Sequence, residues 1–308
     1  MTSDLAVLAE DLTKFYGPHR GVEGLHLEVG AGEVMGFLGP NGAGKTTTIR
    51  LLLDFLRPSR GRVTVLGLDP RRDKAALHRQ LGYLPGDLTF PGRDTADELL
   101  RFFGDARGGV ARARVTELAG RFEVDLSRPV RAMSRGNRQK VGLIQAFMHE
   151  PALLILDEPT SGLDPLMQQE FLALVREARA AGQTVFMSSH VLAEVQQVAD
   201  RVAIVRDGRL AAVERVESLG RRAVRAVEIH FHDPVDPGEF AALPGVGDVV
   251  VTGPVLKCTV DGRLDPLIKA AARHEVIDLL SAEPDLEETF LSFYYHSEGA
   301  DDASRARA

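Results

Sequence analysis

Gly39-Pro40-Asn41-Gly42-Ala43-Gly44-Lys45-Thr46, set directly after the apolar run Val34 to Leu38, is the stretch that decides the fold. Glycines at this spacing let successive backbone N–H groups turn toward a single anionic point. The following segment, Thr46 to Leu56, has the apolar rhythm of a helix whose positive N-terminal end would face that point. Lys45 adds a point charge for β- and γ-phosphates, and the Thr46 hydroxyl is placed to hold Mg²⁺. A chain of average composition would match G-x-x-x-x-G-K-[ST] on the order of once in a hundred tries at this length. The pattern is therefore read as a cradle for a nucleoside triphosphate and not as an ordinary glycine-rich turn.

Working outward, Leu25, Leu27 and Val29 alternate like a half-buried strand, whereas Val34–Leu38, Leu153–Leu156, Thr184–Met187 and Val202–Val205 are short, nearly continuous apolar runs. Such runs suit strands buried on both faces. Helical patterns at Arg138–His149, Leu166–Ala180 and Val191–Ala199 alternate with them, which predicts an α/β core with a mostly parallel sheet. From Asp94 to Leu126 two helical patterns, Ala96–Phe103 and Ala111–Phe122, follow each other without a strand between. They predict an inserted helical subdomain over about 94–150. Asp207-Gly208 is a hairpin signal that closes the first domain with Arg209–Val213.

After about Gly220 the texture changes. Strand, helix, strand, strand, helix, strand patterns run from Val224 to Leu280, the order of a small ferredoxin-like domain. Asp285 and Glu288 are spaced to cap a last helix, Leu286–Tyr295, and the polar Ser297–Ala308 is read as a disordered tail. The predicted organisation is thus an ATP-handling domain over 1–219, a C-terminal accessory domain over 220–296 and a tail over 297–308.

Composition narrows the function. With 44 acidic against 37 basic residues the 308-residue chain carries a formal charge of −7, which argues against a nucleic-acid partner. No stretch nears the roughly 18 apolar residues of a membrane span, and the N-terminus lacks an export signal, so the chain is read as soluble and cytoplasmic. Cys258, the one cysteine, sits in a strand-like run and is read as a small buried hydrophobe.

Leu153-Leu154-Ile155-Leu156-Asp157-Glu158 puts two carboxylates at the end of a buried strand, where ligands of open parallel sheets sit. Asp157 can reach Mg²⁺ directly or through water, and Glu158 can polarise a water toward a γ-phosphate. His190 ends the next strand-like run, after Ser188-Ser189, so three polar elements converge on one sheet edge.

Together these residues resemble the nucleotide-binding subunit of ATP-binding cassette (ABC) transporters, over about residues 5 to 215. The resemblance implies a P-loop NTPase core, with an antiparallel β subdomain beside the parallel sheet and the inserted helices. It makes Gly39, Asn41, Gly42, Ala43, Gly44, Lys45, Thr46 and Thr47 the Walker A loop and Leu153–Asp157 the Walker B strand. Glu158 becomes the catalytic base, Ser161-Gly162-Leu163-Asp164 the D-loop and His190 the switch histidine. Tyr16 matches the aromatic that stacks on adenine. Met133-Ser134-Arg135-Gly136-Asn137 stands for the usual Leu-Ser-Gly-Gly-Gln signature, with Ser134 and Gly136 facing the nucleotide of an opposite subunit.

Two departures stand out. Arg135 replaces a glycine of the signature, and the resemblance puts it at the dimer interface, where it pairs with an anion across the seam or turns outward as a solvated charge. In Leu84-Pro85-Gly86-Asp87, glycine stands where the family has a metal-binding glutamine or glutamate, leaving the role to Asp87 or to a water. The segment Glu283–Phe290 resembles the accessory domain of drug- and antibiotic-efflux members. The implied protein is an ATPase that binds ATP and Mg²⁺, forms a homodimer on ATP binding, and drives a separate integral-membrane permease from the inner face of the membrane, exporting a drug-like or hydrophobic compound. The alternatives are a soluble ATP-driven switch of the same superfamily and a low-turnover nucleotide-binding scaffold.

Overall fold

In a computed structural model, residues 5–90, 93–218 and 225–281 are described. The chain forms two compact units that meet between Glu214 and Arg215. The predicted last helix and the predicted tail lie outside the described residues.

The first unit opens with two long strands, β1 (Leu5–Tyr16) and β2 (His19–Gly30), and with β4 (Arg60–Val65) they make a three-stranded antiparallel sheet in the order β2-β1-β4. A six-stranded sheet packs beside it: β5 (Leu81–Leu84), β6 (Leu153–Asp157), β7 (Thr184–Ser189), β3 (Val34–Leu38), β8 (Arg201–Arg206) and β9 (Arg209–Arg215), in that spatial order. The strands from β5 through β8 run parallel. Every residue of β3, β6 and β7 is buried, which is why these strands read as continuous apolar runs and not as alternations. Phe37 and Phe186 stack across adjacent strands at the centre, with ring centroids 5.2 Å apart. The hairpin from β8 to β9 turns on Asp207 (φ 48°) and Gly208 (φ 75°), two positive angles that match the strand twist.

The helices are α1 (Lys45–Leu52), α2 (Lys74–Arg79), α3 (Ala96–Asp105), α4 (Arg112–Arg121), α5 (Arg135–Phe147), α6 (Pro165–Ala180) and α7 (Leu192–Gln196). α3, α4 and α5 follow one another between β5 and β6, the place of the predicted insertion. α1 stops four residues short of the predicted end, because Asp54 turns into the left-handed region (φ 55°). α5 starts three residues before the predicted Arg138, since Ser134 accepts the Asn137 N–H at 3.2 Å and so caps the helix early.

The second unit runs β10 (Arg225–Phe231), α8 (Pro237–Ala241), β11 (Val246–Thr252), β12 (Val255–Val260), α9 (Asp265–Ala271) and β13 (Val276–Ser281). Its antiparallel sheet has the order β11-β12-β10-β13, so the first strand lies between the third and the fourth. That is the ferredoxin-like arrangement. Its core gathers Ile229, Phe231, Phe240, Leu256 and Cys258, and burial pushes the Cys258 thiol up from its ordinary value, in keeping with a packing role.

Just beyond α5, His149 ties the helical insertion to the main sheet by donating through Nε2 to the Leu81 carbonyl at 3.0 Å. Burial, aided by the charge of Arg107, pushes the ring down to about 4 from the usual 6.5. The unfolded chain therefore binds a proton at this site between about pH 6.5 and pH 4 while the folded chain does not. The histidine's contribution to stability is complete above pH 6.5 and is lost as pH falls through that window. Urea unfolding of His149→Gln and of the parent at pH 7, 6, 5 and 4 should show a shallower loss of stability on acidification for the variant. Parallel curves would refute the assignment.

Candidate active site

The carboxyl ends of three neighbouring strands, β6, β7 and β3, deliver the polar groups of the site. The loop after β3 winds around the Lys45 ammonium, which donates to the carbonyls of Gly39 (2.6 Å) and Pro40 (3.3 Å). Gly44 closes the loop at φ 106°, and a side chain there would lie 2.7 Å from the Gly21 carbonyl, so glycine is required twice over. Gly44 is the N-cap of α1, no side chain caps that helix and no acid stands in its first turn. The first N–H groups of α1 are thus left to an external anion. Tyr16, Asn41, Gly42, Lys45, Thr46 and Glu158 are among the lining of a cleft of about 310 Å³ above the loop, shared also by Gly44 and Thr47. Gly39 and Ala43 belong to the buried underside of the same loop. The Tyr16 hydroxyl comes within 3.5 Å of Thr47 Oγ1 while its ring is nearly half exposed.

Asp157, at the end of β6, is 1% exposed. Its carboxylate is satisfied from both sides: Thr46 Oγ1 donates to Oδ2 at 2.9 Å and Ser188 Oγ, from β7, donates to Oδ1 at 2.6 Å. The hydroxyl of Thr46 and the carboxylate of Asp157 are hard oxygen donors side by side, a set that fits Mg²⁺. Burial, aided by the charge of Asp157, raises the Tyr83 phenol to about 12, so it stays protonated.

Glu158 follows in a left-handed backbone conformation (φ 51°), a sparsely populated region for a residue with a side chain. Its N–H donates to Ser188 Oγ at 3.0 Å. Its carboxylate is shared between two cations or potential cations: Oε1 lies 3.1 Å from Lys45 Nζ, and His190 Nδ1–H donates to Oε2 at 2.7 Å. The Lys45 contact is an ion pair without hydrogen-bond alignment, since Oε1 accepts no well-directed bond. The imidazole is half exposed.

The remaining residues singled out in the sequence lie elsewhere. Ser134 Oγ caps α5, and Asp164 caps α6 by accepting from the Met167 N–H at 3.0 Å. Gly136 packs against the Gly162 carbonyl, which joins the signature to the D-loop within the chain. Arg135, read from the sequence as facing across a seam or into solvent, donates through Nη2 to Ser161 Oγ of its own chain at 3.1 Å. Gly86 abuts the Asp157 carboxylate, whose oxygen would be 3.2 Å from an added side-chain carbon. Asp87 is exposed and lines a second cavity, of about 570 Å³, with Arg131, Arg135 and Arg138. Among the described residues no three His, Cys, Asp or Glu side chains cluster as a metal site. The sequence reading passed over the part played by Ser188, whose hydroxyl serves Asp157 and Glu158 at once, and by Gln139 of α5, whose amide donates to the carbonyls of Pro159 (3.1 Å) and Glu158 (3.4 Å).

This geometry agrees with the comparisons. The profile of the ABC transporter family matches residues 22–161. The chain is 36% identical over 227 residues to the bacitracin transport ATP-binding protein BcrA of Bacillus licheniformis, a match that covers 72% of this chain and 74% of that one. It is 34% identical over 302 residues to the daunorubicin resistance ATP-binding protein DrrA3 of Streptomyces coeruleorubidus, covering 94% and 96%. The chain belongs to the ATP-binding subunits of ABC transporters. Among solved structures, the ATP-binding subunit of an ABC transporter is similar at a TM-score of 0.65 and 31% identity, over 70% of this chain and 92% of that one. A dimeric bacterial cassette shares the fold at a TM-score of 0.63 and 20% identity, over 68% and 98%. The protein is accordingly an ABC ATPase that binds ATP. The match to DrrA3 runs on into the second unit.

Ser188 offers a direct check on this geometry. Ser188→Ala removes the donor to a buried carboxylate and the acceptor of the Glu158 N–H together, and leaving such groups unsatisfied costs about 1–3 kcal/mol. Denaturant titration should show a loss of this size with an unchanged slope, and an unaltered midpoint would mean that water replaces the hydroxyl.

Proposed function

We propose that this ABC ATPase works as a pair of copies that hydrolyse Mg-ATP and drive a membrane permease exporting a drug-like or antibiotic compound. The observation that carries the chemistry is the shared carboxylate of Glu158, held between Lys45 and His190. Lys45, the α1 N-terminus and the loop N–H groups bind the phosphates, and Tyr16 borders the base end of the cleft. Thr46 and Asp157 hold Mg²⁺, which when bound neutralises phosphate charge. Lys45 exchanges its contact with Glu158 for a phosphate oxygen, because both anions call on one buried ammonium. Glu158 is then tied to His190 alone and keeps an oxygen with which to take a proton from the attacking water. His190, through Nδ1–H, fixes the direction of that carboxylate.

The export reading rests on the relatives named for bacitracin transport and daunorubicin resistance, and on the second unit shared with the latter. No helix among the described residues is long and apolar enough to cross a membrane, and in this reading the conduit is a separate chain, the permease. Its contact is assigned to an apolar cavity of about 570 Å³ lined by Leu88, Phe90, Leu99, Phe102 and Phe103. Phe102 is 66% exposed there. The loop Pro85–Phe90 runs from beside Asp157 to this cavity, and so gives an occupant mechanical access to the site. In this reading Ser134, Gly136 and Asp164 meet the nucleotide of the second copy.

Two measurements test it. Lys45→Ala should abolish ATP binding, whereas Glu158→Gln should bind Mg-ATP, accumulate as a dimer in gel filtration and lose about 10²–10⁴ in kcat. A monomeric Glu158→Gln protein with the parental rate would overturn the assignment. Phe102→Asp should leave the ATPase activity of the isolated chain within about twofold, as expected of an exposed surface change, while abolishing ATP-driven efflux in vesicles that contain the permease. Undiminished efflux would move the permease contact elsewhere.

A further inference from the structure

The turn that carries Glu158 is strained, and something outside the nucleotide loop must hold it. Its N–H is held by Ser188 of β7. The carbonyl side is held from α5: Gln139, 5% exposed, donates its amide to Pro159 O at 3.1 Å and Glu158 O at 3.4 Å. One helical turn earlier on the same face, Arg135 donates to Ser161 Oγ, and its aliphatic stem lies within 4 Å of where a Gly162 side chain would begin. Ser161 in turn donates its N–H back to Glu158 O at 3.1 Å. Thr160, between these contacts, donates to Glu194 of α7 at 2.6 Å. Thus residues 158–162 are gripped on one side by the first two turns of α5, a helix of the insertion, and on the other by β7 and α7.

We infer that Gln139, seconded by Arg135, is a positioning residue for ATP hydrolysis: it clamps the Glu158 turn to α5, so that the direction of the Glu158 carboxylate follows the placement of the helical insertion. Gln139 hydrogen-bonds to the main-chain carbonyls of Glu158 and Pro159 and lines the cavity of Asp87, not the nucleotide cleft, so its effect falls on the water-activating group and not on ATP binding. Arg135 gains a task within its own chain that a glycine at this position cannot perform. The inference rests on the assignment of Glu158 as the base.

The test is a rate cycle on the purified full chain. Gln139→Leu keeps the buried volume and removes the donor. It should lower kcat for Mg-ATP on the order of ten- to a hundredfold, the scale of a small misplacement of a reacting group, with KM for ATP nearly unchanged. In the Glu158→Gln background the same substitution should change the residual rate by less than about twofold, because the group it positions is already disabled. An equal loss in both backgrounds, or no loss in the parent, overturns the inference. Full turnover by Glu158→Gln alone would sink the base assignment first, and this inference with it. Should Gln139→Leu not fold, Arg135→Ala and Ser161→Ala decide: the two losses in kcat should be equal and should not add in the double variant, and additive or absent losses overturn the clamp.

Discussion

A buried carboxylate has to be neutralised or hydrogen-bonded on every side, and Asp157 imposes that requirement on the whole first unit. Its partners come from the helix that follows β3, Thr46 in the first turn of α1, and from β7, Ser188, with β7 lying between β6 and β3 in the sheet. A slip of any of the three strands by one residue would leave the carboxylate unpaired in the interior and would turn Ser188 to the opposite face. The same register sets Lys45 and His190 on either side of Glu158. The main sheet and the site therefore stand or fall together.

This coupling explains which parts could be read in advance. The phosphate loop was legible because its glycines are forced by backbone geometry, and β3, β6 and β7 because burial on both faces leaves no freedom to be polar. The ferredoxin-like order of the second unit was legible from strand and helix periods alone. β1, β4 and β5 were not: β1 and β4 bear register shifts and charged faces such as Arg60-Gly61-Arg62, and β5 is four residues long with a tyrosine and a glycine inside it. Helix ends moved by a few residues for local reasons, a serine cap at α5 and a left-handed aspartate after α1.

Within the candidate site, the residues with distinctive chemistry stood out in the sequence and the residues with ordinary chemistry did not. A serine in a buried strand or a glutamine in a helix carries no pattern in one sequence, because its importance comes from a carbonyl or a carboxylate that only the tertiary fold brings near. Gly86 is the converse case. From the sequence it is a lost side chain, but beside Asp157 it is a point of close backbone approach. The neighbouring Asp87 instead lines a cavity together with three arginines, Arg131, Arg135 and Arg138.

The arrangement around Glu158 also bears on how such an enzyme avoids idle turnover. In the structure the carboxylate is paired with Lys45 as well as with His190, so the base we propose is engaged before any phosphate competes for the ammonium. In the proposed mechanism Oε1 of Glu158 is released when Lys45 turns to phosphate, at the moment the phosphates are in place. In the proposed mechanism hydrolysis then depends on two conditions that originate in different layers of the protein: phosphate on the loop after β3 relieves Glu158 of its lysine, and α5 holds the Glu158 turn in place. Because the helical insertion also walls the apolar cavity assigned to the permease, the second condition is the one through which a membrane partner can gate the chemistry.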